Sequence, residues 1–267
     1  MNTLHWLQID FMQKALLGSV LVSVGCGFLG LFVFLRRIIF ISMAISEVSM
    51  AAVAFAFFMG FNPTLTSMAI TLVSIGILAF AQSKPSRFPP EALIALVYML
   101  ASSAAILLIA KNPAGESELL NVMFGNILTV HNENIVKASL ASGATLGVLL
   151  LFFRSFLFVA FDTEMASISG IKTNIWTSLF YIFLGVMVVV GIQLCGALLT
   201  FAYLILPAYS GLKLTRSLKG AVVMSLILGP IATFLGLWAS FAEDLPSGPA
   251  ITAVLGVIAL GSSLKKS

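Results

Sequence analysis

Glu47 lies in the run Ile41-Ser-Met-Ala-Ile-Ser-Glu-Val-Ser-Met50, which continues as apolar chain to Met59 without a basic residue. A carboxyl group near the centre of a bilayer costs about 2.5 to 3.5 kcal/mol on insertion scales, so a wet cavity, a bound cation or a proton must offset it. A pathway or gating role is therefore the first reading for Glu47. Steps of three and four residues nearly close a helical turn, so Met43, Glu47 and Met50 fall within about 60° of one another, with Ser46 beside them. A hard carboxylate between two soft thioethers is a donor set for transient cation binding. The chain holds 11 methionines, however, and methionine is a routine gap filler, so packing is the first reading for Met43 and Met50.

A second constellation lies between Phe161 and Asn174. Asp162 occupies a position from which its side chain can cap a helix, Thr163 and Glu164 follow, and Gly170 falls where such a helix would end. Other chemistry is sparse. His5 and His131 are the only histidines and both lie outside the apolar runs, so one chain offers no buried imidazole site for zinc. Cys26 and Cys195 sit in apolar runs and read as small buried hydrophobes. No G-x-x-x-x-G-K-[ST] loop occurs, so the chain lacks that route to ATP hydrolysis. Nor is a nucleophile with a matching base visible, which argues against an enzyme.

The elements that position these residues are membrane helices. The chain is 60% hydrophobic and 9% charged, leaving no room for a separate soluble domain. Apolar windows give spans near 15–35, 41–60, 63–81, 91–110, 135–153, 175–192, 193–212, 220–241 and 248–262. The run from Ile175 to Leu212 would reach about 57 Å as one helix, almost twice the hydrocarbon thickness of about 30 Å. It must fold back, and Gly191-Ile-Gln-Leu-Cys-Gly196 is the expected place. With nine crossings and Arg36 and Arg37 cytoplasmic, 11 of the 14 basic residues fall inside, leaving Lys14, Lys111 and Lys137 outside. This places the N-terminus outside and the C-terminus in the cytoplasm. Gly18, Gly25, Gly27 and Gly30 allow close helix approach along the first span, and Pro207 can kink the seventh.

Several stretches resemble the permease subunits of bacterial ABC importers for zinc, manganese and iron. They are Leu35-Arg36-Arg37 leading to Ala44-Ile45-Ser46, Phe124-Gly-Asn-Ile-Leu128, Phe161-Asp-Thr-Glu164 with Gly170-Ile171, Val190 to Leu199 continuing to Leu206-Pro207, and Asp244-Leu-Pro-Ser-Gly-Pro249. The resemblance implies that Phe161, Asp162, Glu164, Gly170 and Ile171 form the loop that couples to an ATPase subunit. It also implies an aspartate and, four residues on, a histidine facing the cavity; here those positions are Met43 and Glu47, and the serine is kept as Ser46. Carboxylate in place of imidazole shifts the expected preference away from zinc towards harder ions.

The expectation is an all-α membrane protein. It is a polytopic bundle of about nine transmembrane helices, or eight, forming a single permease domain over residues 1–267 and working as a homodimer. The resemblance implies import of a divalent metal cation, with Glu47 as a transient metal ligand. It places the chain in the bacterial cytoplasmic membrane. Expected partners are two copies of an ABC ATPase that carries the ATP, an extracytoplasmic binding protein, a second copy of the chain and the lipid bilayer, with no nucleic acid and no cofactor held by this chain. The alternatives are a permease for a metal chelate or other small solute, and a proton-coupled carrier using Glu47.

Overall fold

The computed structural model describes residues 9–82, 90–111, 130 and 132–264, and these form helices joined by tight turns. In chain order they are α1 (Asp10–Leu35), α2 (Ile39–Met59), α3 (Pro63–Gln82), α4 (Pro90–Ala110), α5 (Asn132–Leu151), α6 (Phe153–Phe161), α7 (Thr163–Ile168), α8 (Thr173–Cys195), α9 (Ala197–Leu214), α10 (Leu218–Glu243) and α11 (Ser247–Leu264). His5, His131, Lys84, Arg87, Glu116, Glu118, Lys265, Lys266 and the Phe124 to Leu128 stretch lie outside the described residues.

Among the described residues, eight helices are long and apolar enough to cross a membrane: α1, α2, α4, α5 and α8 to α11. The apolar stretch of α3 is shorter, Pro63–Leu78. Even so, α3 must return the chain across the layer. Phe40 and Met43 at the start of α2 share a cavity with Glu91, Ile94 and Tyr98 at the start of α4, so both helices begin at the same end of the bundle. At 20 residues α3 spans about 30 Å, which suffices.

The turns follow local chemistry. α2 ends at Gly60 (φ 71°), where Phe61 N–H reaches the Ala56 carbonyl at 2.9 Å and Gly60 N–H the Phe57 carbonyl at 3.3 Å, the paired bonds of a Schellman motif. The 38-residue apolar run breaks at one residue: Gly196 joins α8 to α9 with φ 84° and ψ 163°, a backbone region open essentially only to glycine. The fold-back expected between Gly191 and Gly196 is thus at the end of that window. A correction applies further upstream. The fifth span does not end in a loop at 153; the helix bends at Phe152 and continues as α6 to Phe161, because Phe156, Val159 and Ala160 find a buried face there.

α1 is the centre of the bundle, packed against α5, α8, α9 and α10. Without a hydrophobic drive between helices in lipid, close backbone approach and hydroxyl bonds hold such contacts. A Cβ on Gly30 would lie 1.8 Å from the Leu204 carbonyl oxygen of α9, so only hydrogen fits there. Ser142 of α5 donates to the Leu21 carbonyl at 2.6 Å, and Ser225 of α10 to the Gly27 carbonyl at 2.7 Å. Tyr203 of α9 and Thr233 of α10 share a buried hydrogen bond of 2.6 Å. Cys26 and Cys195 are buried and free, as their apolar surroundings suggested. α2 packs outside this centre, chiefly on α4 and α3.

Candidate transport site

Glu47 sits eight residues into α2, about 12 Å along the helix from Ile39. It is half-buried and turned towards α4, where the Ser102 hydroxyl hydrogen-bonds its carboxylate. The second carboxylate oxygen, Oε2, is buried and has no hydrogen-bond partner among the described residues. No basic side chain forms an ion pair with it among the described residues. A buried acceptor without a donor costs about 1 to 3 kcal/mol, and more when it is charged. A cation or proton arriving at Oε2 would therefore meet a group whose solvation has already been removed.

The four α2 residues that the sequence grouped have different surroundings. Met43 stands one turn nearer the α1–α2 connection, on the wall of a cavity of about 320 Å³ shared with Phe40, Glu91, Ile94, Ala95 and Tyr98. Met50 is buried at 5% exposure, in keeping with packing. Ser46 is buried too, and its hydroxyl donates to the Ser42 carbonyl of its own helix at 3.0 Å. That proton is committed to the backbone. Among the described residues no group of three or more His, Cys, Asp or Glu could hold a metal ion.

At the end of the bundle that carries the α1–α2 turn, α6, α7 and α8 form a lever-like excursion. Asp162 caps α7 by accepting from Met165 N–H at 2.9 Å, with φ −149° and ψ 101°. Gly170 closes it at φ 82°: Ile171 N–H reaches the Ala166 carbonyl at 3.1 Å and Gly170 N–H the Ser167 carbonyl at 3.0 Å. The helix has only six residues, shorter than the Phe161 to Asn174 segment suggests. Ala166 faces inward and is buried, whereas Phe161 is 59% and Ile168 82% exposed, with Met165 and Glu164 exposed between them. Ile171 is half-buried and leads into α8.

Three residues escaped sequence reasoning. Ser102 is the partner of Glu47; the polar pair Ser102-Ser103 inside an apolar run was the available signal. Glu91 lines the cavity beside Met43. Arg36 is half-buried over the Phe180 ring of α8, 4.8 Å from the guanidinium carbon to the ring centroid. The sequence marked it as a cytoplasmic charge and as part of the Leu35-Arg36-Arg37 stretch, but not as a partner of α8.

Comparison with known proteins gives one consistent result. The ABC 3 transport family matches residues 8–266. The manganese transport system membrane protein MntC of Listeria monocytogenes is 28% identical over 252 residues, covering 94% of this chain and 89% of that protein. A protein named "Probable iron transport system membrane protein" from Haemophilus influenzae is 26% identical, over 92% of this chain and 86% of its own length. Among solved structures, PsaBC from Streptococcus pneumoniae in complex with Fab superimposes with a TM-score of 0.88 at 25% identity, covering 98% of this chain and 95% of that one. A bundle of membrane helices with no nucleotide-binding loop of its own, matched to this family from one end to the other, is a permease subunit: the chain belongs to the ABC 3 transport family.

Proposed function

We propose that this permease imports a divalent metal cation, manganese or iron(II) before zinc, along a path that passes Glu47. The observation that carries the reading is the desolvated, unpartnered Oε2 of Glu47, midway along a spanning helix of a chain whose relatives are named for manganese and iron transport. Carboxylate oxygen is a donor for hard ions, and the thioether of Met43 adds a soft contact at the cavity wall. Zinc ranks lower because no imidazole stands beside Glu47 on α2.

Energy comes from elsewhere in this reading. Two ATPase subunits bind ATP at the cytoplasmic face, and α7 with its exposed Phe161, Met165 and Ile168 enters a groove on each. Exposed apolar side chains at the rim of a membrane protein suit docking to a protein partner. Asp162, Glu164, Gly170 and Ile171 hold that short helix in shape. Two copies of the chain, related by a two-fold axis, enclose the pathway and present their outer face to an extracytoplasmic binding protein. The concentration of Arg36, Arg37, Arg154, Lys172, Lys213, Arg216 and Lys219 at the α7 end supports a cytoplasmic placement in a bacterial cytoplasmic membrane, with the N-terminus outside. Family membership favours this borrowed drive over a self-powered, proton-coupled carrier.

The test is uptake into proteoliposomes holding the permease with its ATPase and binding protein, over a panel of Mn²⁺, Fe²⁺, Zn²⁺ and a ferric chelate. ATP-dependent Mn²⁺ or Fe²⁺ uptake is expected. Uptake of the chelate alone, or of any ion without the ATPase, would overturn the proposal.

A further inference from the structure

The mechanical link between α7 and Glu47 is not continuous along the chain, because α7 leads into α8 whereas Glu47 is on α2. α8 packs on α2 directly and through α3, and one charged side chain adds a link at the α1–α2 turn. Arg36, in the turn between α1 and α2, lays its guanidinium over Phe180 of α8 and directs Nη1 to the Thr177 hydroxyl at 3.4 Å. Phe180 in turn belongs to an aromatic cluster that unites the lever's two arms with α1. Phe32 packs on Phe180 at 6.4 Å and on Phe156 of α6 at 6.2 Å, and Phe156 meets Trp176 of α8 edge-on at 5.1 Å. The cluster therefore packs α1, α6 and α8 together.

The connection from Arg36 to α2 is short and hydrogen-bonded. Arg37 takes the left-handed conformation at φ 56°, usually left to glycine, and Ile38 N–H bonds the Val33 carbonyl at 3.1 Å. α2 begins at the next residue, Ile39. Arg36 itself is weakly tied: its Nε and Nη2 are buried and have no partner among the described residues. Its face on the Phe180 ring and its bond to Thr177 are thus the contacts that fix the guanidinium against α8, with Tyr181 of the same helix close enough to feel its charge.

We propose that Arg36 is a positioning residue for transport: stacked on Phe180, it ties the start of α2 to the α6–α7–α8 lever, so that displacement of α7 re-aims Glu47. The inference rests on the proposed roles of α7 and Glu47.

The experiment uses the full transporter in proteoliposomes and reads Mn²⁺ uptake and ATP hydrolysis on the same preparation. Arg36→Lys keeps the charge but loses the planar face, and Phe180→Leu removes the ring while leaving Arg36 in place. Each is expected to lower Mn²⁺ moved per ATP about fivefold or more, the lower range of ordinary coupling factors. Melting temperature should stay within about 4 °C of the parent. The double variant should move no less Mn²⁺ per ATP than the more severe single one, since both remove the Arg36–Phe180 contact. An unchanged ratio in both variants, uptake and hydrolysis falling in equal proportion, or strictly additive effects would each overturn the proposal. Asp162→Arg, run in parallel, tells the two failures apart. A normal ratio in Asp162→Arg removes the α7 reading and this inference with it, whereas an uncoupled Asp162→Arg beside a fully coupled Arg36→Lys and Phe180→Leu removes Arg36 alone.

Discussion

Gly30→Ala should be the most damaging single-carbon addition to the scaffold. The new Cβ would stand 1.8 Å from the Leu204 carbonyl oxygen and 2.9 Å from its carbon, with the Ala208 Cβ at 3.2 Å. That is about 1.6 Å short of the 3.4 Å at which ordinary contact begins. The obstructing atoms are backbone of α9, so no rotamer change can clear them, and α1 and α9 must separate. Gaps of 0.5 to 1 Å already forfeit a quarter to a half of each dispersion contact along the seam. Overpacking of this kind costs about 1 to 3 kcal/mol or more, roughly a tenfold to hundredfold drop in the folded-to-unfolded ratio. Gly76→Ala on α3 is the control, because nothing lies within 4 Å of its Cβ and helix propensity favours alanine by about 1 kcal/mol. Thermal unfolding of both variants in the same detergent, followed by a fluorescent thiol probe or by size exclusion, gives the comparison. A Gly30→Ala protein as stable as Gly76→Ala would show that α1 and α9 do not meet as described.

Gly196→Ala places a side chain at φ 84° and ψ 163°, a strain of about 1 to 3 kcal/mol, and should lower the yield of folded protein in membranes while Gly256→Ala, in open surroundings, does not. Asp162→Arg removes the cap of α7 and reverses its charge, and Gly170→Trp forces a bulky residue into φ 82°; both should stay in the membrane yet lose ATP-driven uptake, read as metal moved per ATP. Normal uptake in both would detach α7 from the ATPase. Tyr203→Phe breaks the 2.6 Å bond to Thr233 and should cost about 0.5 to 1.5 kcal/mol in unfolding free energy, less than Gly30→Ala by the same assay.

Most of the architecture was legible in the sequence because lipid forces every backbone group into a helix and the helix length follows from bilayer thickness. The nine apolar windows each correspond to a helix, and the Gly196 break and the Asp162 and Gly170 ends of α7 follow from the backbone freedom of glycine and the capping geometry of a short carboxylate. α6 was hidden, since Phe153 to Phe161 reads as a span running out, and only its aromatic partners on α1 and α8 make it a separate buried element. Glu47 was legible as an anomaly, whereas its surroundings were not. Ser102 is 55 positions away in sequence and Thr177 lies 141 from Arg36, and no local period encodes which helices become neighbours. The turn at Arg37 was hidden for a different reason: an arginine occupies a left-handed position where glycine would have announced a helix end.

The decisive measurement is Mn²⁺ uptake by Glu47→Gln in the reconstituted transporter. Glutamine keeps the size of the side chain, and its amide oxygen can still accept from Ser102, while the unpartnered oxygen is replaced by a neutral NH2 donor that cannot ligate a cation. Charged hydrogen-bonding groups are worth about 1.5 to 3 kcal/mol, so uptake should fall roughly tenfold or more while ATP hydrolysis and assembly persist. Mn²⁺ uptake at the parental rate, with every other ion also unaffected, would take Glu47 off the path.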